Sequence, residues 1–152
     1  MGERFGMNTA KQYLKQYENA AKAARKVRRE YEEELDLIDN IRSSLGGDGM
    51  PRSGEISRKV ENQALKLSEK ADALRAAEIA AIEVRQEIFR TVMKVPGDAG
   101  SVLYERYIML TDDYRLQDWK DVADAVGYSE SRVYGLHREG LECVEKLLGL
   151  AT

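Results

Sequence analysis

The stretch DWKDVADAVGYSESRVYGLHREG, from Asp118 to Gly140, decides the fold that we predict for this chain. It predicts two short helices joined by a tight turn at Gly127, because glycine readily adopts the left-handed conformation that reverses a chain after a helix. The small side chain of Ala123 lets the second helix approach closely. Ser129 is expected to cap that helix with its hydroxyl. This spacing is typical of a helix-turn-helix.

The apolar residues of the stretch fall where the wedge between two crossed helices must be filled. Valine, leucine and tryptophan occupy these positions, and charged residues lie between them. Together with the small alanine and the turn glycine, they form the predicted motif core: Trp119, Val122, Ala123, Val126, Gly127, Val133 and Leu136.

The outward face of the second predicted helix is the candidate functional surface. In a helix-turn-helix that binds DNA, the N-terminal residues of the second helix meet base edges in the major groove. Arg132 and Arg138 can pair with phosphate or guanine, whereas Glu130 can accept a bond from cytosine but repels the backbone. The predicted DNA-binding residues are Ser129, Glu130, Ser131, Arg132, Tyr134, Gly135 and Arg138.

Charge is distributed unevenly along the chain. Residues 1–29 contain eight bases and two acids, whereas residues 96–152 contain six bases and eleven acids. A single acidic domain should bind DNA weakly, because phosphate neutralisation supplies most of the affinity. The basic run is therefore a second candidate phosphate contact. Its alternative is a solvated helix face paired with the following EEELD. The run consists of Arg25, Lys26, Arg28 and Arg29.

Two glycine- and proline-containing stretches divide the chain: LGGDGMPRSG, Leu45 to Gly54, and VPGDAG, Val95 to Gly100. Apolar residues spaced by three and four predict long helices at about Asn8–Leu45 and Glu55–Met93. The short connection between them favours an antiparallel hairpin that resembles a coiled coil. The predicted fold class is thus all-α, with a long antiparallel helical hairpin followed by a small helix-turn-helix domain.

The predicted domains are residues 1–95, a hairpin with a basic N-terminal end, and residues 96–152, the helix-turn-helix domain. The hairpin is the candidate for oligomerisation, for two reasons. The apolar stepping of the second helix places Val60 and Ala64 in the seam, but alanines bury little area, so an isolated two-helix rod would be marginal. A second apolar line on the second helix also needs a partner, which is the C-terminal domain, a second chain or some of each: Ile79, Ile82, Phe89 and Met93.

Composition argues against several classes of function. No stretch approaches the roughly 18 apolar residues of a membrane span, and the N-terminus has no apolar signal core. Cys143 is the single cysteine, so an intramolecular disulfide is excluded and a reduced, cytoplasmic location is expected. The lone His137 has no catalytic partner nearby in sequence, which favours a structural or phosphate-contact role. We therefore expect no enzyme activity, no metal and no cofactor.

Trp119 is expected to be a core anchor at the start of the motif. Three tyrosines of the preceding region are the candidates to pack around it. Their hydroxyls would face water, as is usual for tyrosine at a core edge. They are Tyr104, Tyr107 and Tyr114.

The segment VLYERYIML…DWKDVADAVGYSESRVYGLHREGLECVEKLL, Val102 to Leu148, resembles region four of bacterial primary-type sigma factors. It is more similar still to small phage-encoded transcriptional regulators of the RinA and ArpU type, in which a charged helical hairpin precedes a sigma-like helix-turn-helix. The loop GMPRSG, Gly49 to Gly54, is similar to the loop of such hairpins. The resemblance implies control of phage late genes by promoter binding at the nucleoid of a bacterial host.

Three hypotheses about function follow. The leading one is a sequence-specific regulator that binds double-stranded promoter DNA as a homodimer or higher homo-oligomer, without a membrane. The second is a protein-interaction adaptor that docks on RNA polymerase or a phage assembly component, with the acidic surface as its working face. The third is a DNA-binding protein similar to a small terminase subunit.

Overall fold

The structure, a computed structural model, describes the backbone of residues 2–45 and 53–149 and the side chains of residues 9–43 and 57–149. Throughout these residues the regular elements are helices and no strand occurs, so the predicted all-α class is confirmed. Most of the predicted LGGDGMPRSG loop lies outside the described residues. The helices are α1 (Gly2–Leu45), α2 (Ser53–Met93), α3 (Gly97–Leu103), which continues as a π-helical turn (Tyr104–Ile108), α4 (Trp119–Val126) and α5 (Glu130–Leu147).

The chain forms two compact units. The helix-turn-helix unit consists of residues 2–22 together with 81–149, and the hairpin unit consists of residues 23–45 and 53–80. This division differs from the predicted boundary after residue 95. The beginning of α1 and the end of α2 join the C-terminal helices, because their apolar side chains share one core with them.

The larger core of the helix-turn-helix unit is built from four parts of the chain. Leu14 of α1 and Ile88 of α2 are fully buried, and Leu141 of α5 is 1% exposed. Burying side chains of this size stabilises a fold by about 1.5–3 kcal/mol each. The buried residues of this cluster are Ala10, Leu14, Ile88, Val92, Val95, Ala99, Leu103, Tyr107, Ile108, Leu141 and Val144.

The second core is the helix-turn-helix motif itself. It unites the apolar motif positions with one residue of α3, Val102, which closes the wedge from the side. Gly127 ends α4 with φ +79°, and its N–H donates to the carbonyl of Ala123. The Ser129 Oγ accepts a hydrogen bond from the backbone N–H of Arg132 at 3.2 Å. The cluster consists of Val102, Val122, Ala123, Val133 and Leu136, with Trp119 and Val126 packed against it.

Polar contacts fix α1 to the rest of the helix-turn-helix unit. The Tyr13 hydroxyl lies 2.8 Å from the Thr91 Oγ1 of α2. The Glu18 carboxylate accepts the backbone N–H of Leu116, in the loop before α4, at 2.7 Å. These bonds join residues that are far apart in sequence, and they tie α1 both to α2 and to the approach of the motif.

The hairpin unit has a thin core. Its two helices run antiparallel, with Arg28 paired to Glu78 and Lys70 to Glu30. Among its described side chains only Leu74 is buried. The expectation that Val60 and Ala64 pack in the seam is wrong, because both are exposed. A void of about 60 Å³ lies beside them, so the facing side chains do not close over this end of the seam.

Gly127→Ala should destabilise the protein by about 1 kcal/mol, because an L side chain is strained at its positive φ although space for a Cβ is open. Gly135→Ala is the matched control. Gly135 lies within α5, and apart from the adjoining residues and the backbone of its own helix no heavy atom stands within 4 Å of an added methyl group, so alanine there should stabilise by about 0.5–1 kcal/mol. Urea unfolding measures both. Equal effects of the two substitutions would contradict the turn geometry.

Candidate nucleic-acid interface

Helix α5 has one buried face and one exposed face. Val133, Leu136 and Leu141 point into the two cores. The sequence-predicted binding residues lie on the other face, where they are exposed, apart from Gly135, which is partly buried. The exposed residues are Ser129, Glu130, Ser131, Arg132, Tyr134 and Arg138. The N-terminal half of α5 thus presents hydroxyls, a phenol and two guanidinium groups to solvent.

The beginning of α5 is held by its cap. Because the Ser129 Oγ accepts the Arg132 N–H, the hydroxyl proton is still able to donate to a ligand. Glu130 lies in the first turn, where a negative charge is favoured by the helix dipole. The Tyr128 hydroxyl donates to Asp98 at 2.6 Å, which raises the pKa of Tyr128 and ties the turn to the start of α3.

Trp119 is the centre of a cluster of rings and one cation. The Arg106 guanidinium lies 4.3 Å from its ring centroid, the Tyr134 ring 5.1 Å and the His137 ring 4.6 Å. Arg106 also donates to the Gln117 carbonyl. Tyr134 is therefore a half-exposed side chain held from behind by Trp119, rather than a freely rotating surface residue.

The expectation that the tyrosine hydroxyls face water is wrong for Tyr107. Its side chain is buried, and its hydroxyl lies 2.7 Å from the Nε2 of His137. Tyr104 instead stands against Phe89, with ring centroids 6.2 Å apart. The error arose because sequence spacing does not show that His137 faces inward from α5 and offers a partner to a buried phenol.

Burial sets the protonation of this pair. It raises the pKa of Tyr107 to about 12, although the Arg106 charge acts in the opposite direction. Burial, together with the smaller effects of the positive charges of Lys11 and Arg106, lowers the pKa of His137 to about 4. Near neutral pH both groups are therefore uncharged, and His137 has a structural role beneath the exposed face.

A groove on the helix-turn-helix unit contains a residue that sequence reasoning did not assign. Lys11 of α1 lines it together with Trp119, Tyr134, His137, Arg138 and Leu141. Lys11 belongs to the basic start of the chain, but nothing in the local pattern places it beside α5. The contact depends on which face of α1 packs on the motif, which spacing alone does not reveal.

The predicted basic run lies in the hairpin unit. Arg25, Lys26, Arg28 and Arg29 are all exposed on α1. Arg28 pairs with Glu78 of α2, so its partner is not within the following EEELD. For Arg28 the structure favours a solvated, ion-paired helix face over a free phosphate contact.

A larger groove of about 670 Å³ lies elsewhere on the helix-turn-helix unit. It is formed where α2 ends, along α3 and beside the end of α4, and its lining includes exposed Phe89 and Met93. Asp98 and Glu105 give it an acidic rim. This groove is thus apolar and acidic, whereas the groove beside Lys11 is aromatic and basic.

Two features of the described residues bear on other functions. No group of three or more histidine, cysteine, aspartate or glutamate side chains within them could hold a metal ion. No helix in the same part of the chain has the length and apolar character to cross a membrane.

Comparisons with protein-family models, with curated proteins and with solved structures found no match to this chain.

The shifted pKa of His137 predicts a pH-dependent stability. The unfolded chain takes up the imidazole proton near 6.5 and the folded chain near 4, so the unfolded state binds more protons between these values. Stability should therefore fall as the pH falls through this window, by about 2 kcal/mol between pH 7 and pH 5. Urea unfolding of the parent and of His137→Gln at both pH values tests this.

The His137→Gln variant cannot titrate at this position, so its loss of stability between pH 7 and pH 5 should be smaller by that amount. The difference between the two pH values cancels any destabilisation that the substitution causes at both. An equal pH dependence in the two proteins would contradict a neutral, buried His137.

Proposed function

We propose that this protein is a DNA-binding transcriptional regulator that acts through its helix-turn-helix. The observation that supports the proposal most is the geometry of α4 and α5. Gly127 reverses the chain between them, and the N-terminal half of α5 is left exposed with polar and basic side chains. This is the element that enters the major groove in DNA-binding proteins of this architecture.

Within this proposal the side chains have distinct roles. Arg132 and Arg138 would pair with phosphate oxygens or guanine, since guanidinium matches both geometries. Ser131 and Tyr134 would donate to base edges or phosphates. Tyr134 already packs on Trp119 in the free protein. It therefore loses less conformational entropy on binding than an unpacked side chain would.

Charge argues for more than one copy at the DNA. The acidic composition of residues 96–152 weakens a single contact. Two tethered half-site contacts would gain affinity through their effective concentration. Exposed Ile82, Phe89 and Met93 on α2 are candidates for the self-association surface. We therefore propose a homodimer or higher homo-oligomer that binds double-stranded promoter DNA in the bacterial cytoplasm.

The resemblance to RinA- and ArpU-type regulators extends the proposal to its biological setting. It supports a role in the expression of phage late genes rather than catalysis, since those proteins act by binding promoters. In this reading the protein needs no cofactor. Measured oligomer mass distinguishes it from a small terminase subunit, which usually forms a ring.

A second candidate function is supported by the groove of about 670 Å³. Its apolar lining and acidic rim suit a basic protein partner, so the chain could act as an adaptor on RNA polymerase or on a phage assembly component. Electrostatic complementarity would then steer a partner to Asp98 and Glu105. DNA would not be needed for this contact.

Arg132→Gln and Arg138→Gln should each weaken binding to duplex DNA by about 1–3 kcal/mol if the lost contact is to a base. If the lost contact is to a phosphate, the slope of log affinity against log salt should fall by about 0.9. Fluorescence anisotropy on promoter-containing and random duplexes, between about 50 mM and 200 mM salt, measures both quantities.

Lys146→Gln is the matched control, because Lys146 is exposed in the last turn of the same helix and loses the same charge. It should bind as the parent does. If both arginine variants bind DNA as the parent does, the proposal that the exposed face of α5 contacts DNA is refuted. A parent protein that fails to bind duplex DNA even at about 50 mM salt would favour the adaptor.

A further inference from the structure

The groove that contains Lys11 brings three helices to one place. Lys11 comes from α1, Trp119 begins α4, and Tyr134 and Arg138 lie one turn apart on α5. His137 and Leu141 complete the lining of a cavity of about 420 Å³. All of these residues belong to the helix-turn-helix unit.

The charges of this groove differ from those of its surroundings. Its lining contains two cations and no carboxylate, although acids outnumber bases by eleven to six over residues 96–152. Lys11 and Arg138 are both exposed. Within the described part of the chain neither forms an ion pair with a carboxylate, whereas Arg28 is paired with Glu78. Two cations are thus available to a ligand.

The position of Lys11 is determined by helix packing. Its neighbours in α1, Ala10 and Leu14, are fully buried in the larger core. The bond from the Leu116 N–H to Glu18 holds the same helix against the loop before α4. The charge of Lys11 acts on the buried His137 as well, since it contributes to the lowered pKa of that imidazole. Packing of α1 therefore fixes the backbone of Lys11, and with it the place from which the Lys11 ammonium reaches the groove.

We propose that this groove holds one backbone phosphate of the duplex that α5 contacts, with Lys11 as a phosphate-binding residue outside the helix-turn-helix motif. The inference rests on the proposed function. In this docking geometry the first helix of the motif crosses the DNA backbone, which brings phosphates to the beginning of α4, where Trp119 lies. An ammonium and a guanidinium both donate charge-assisted hydrogen bonds to phosphate oxygens.

The aromatic walls suit the same ligand. Trp119 and Tyr134 offer apolar surface on which a deoxyribose can pack while its phosphate contacts Lys11. In this arrangement α1 is part of the DNA-binding surface, and Lys11 is the residue through which it contributes to the groove. The groove thereby adds a positive contact that the acidic C-terminal region lacks.

Lys11→Gln tests the inference in the full chain. The slope of log affinity against log salt for duplex DNA should fall by about 0.9, and affinity at a fixed salt concentration by about tenfold. Lys15→Gln is the matched control. Lys15 is exposed one turn further along α1 and does not line the groove. It should keep the slope and the affinity of the parent.

The outcomes separate the inference from the proposed function. If Arg138→Gln weakens binding while Lys11→Gln behaves as Lys15→Gln does, the inference fails and the proposed function stands. If Lys15→Gln lowers the slope as much as Lys11→Gln, the effect is one of total charge and the groove assignment also fails. Equal urea midpoints of the variants exclude a loss of folding as the cause.

Trp119 is the only tryptophan of the chain, so its fluorescence reports on the groove directly. Duplex DNA should change the emission of the parent, with a weaker salt dependence in Lys11→Gln. Titrations with inorganic phosphate and with deoxyadenosine monophosphate complete the test. If inorganic phosphate or deoxyadenosine monophosphate causes a saturable change in Trp119 emission at concentrations where duplex DNA causes none, the proposal is overturned. The groove would then serve a free phosphate ligand.

Discussion

Helix α5 has to fill two cores with one face, and the rest of the helix-turn-helix unit depends on this constraint. Val133 and Leu136 pack against α4 and Val102, while Leu141 and Val144 pack against the beginning of α1 and the end of α2. A rotation of the helix that improved one contact would open the other. The exposed face, which carries Arg138, is therefore oriented by packing that lies entirely behind it.

The neutral pair of Tyr107 and His137 connects these two cores. The hydrogen bond between them satisfies polar atoms that would otherwise be costly to bury. The same imidazole meets Trp119 edge-on, and Trp119 in turn supports Tyr134. The interior and the candidate interface thus belong to one chain of contacts, so a substitution at His137 should affect the surface as well as stability.

Local patterns in the sequence predict much of this fold. The three-four spacing and the capping residues predict the two helices of the motif, with Gly127 in the turn and Ser129 at the cap, because these features depend on neighbours within a few residues. The long-range contacts could not be predicted in this way. Lys11 lines the same groove as Arg138, and Tyr107 contacts His137, only because particular helix faces pack together. Binding to DNA stays a prediction, since fold alone does not determine function.

The helix-turn-helix unit joins parts of the chain that are far apart in sequence, and this has a consequence for its synthesis. Leu14 emerges from the ribosome long before Leu141, its partner in the shared core. At ordinary translation speeds the delay is roughly ten seconds. During that time Ile88 and Val92, at the end of α2, can cover part of the apolar surface around Leu14. The beginning of α1 and the end of α2 would then be the template on which the last helices condense.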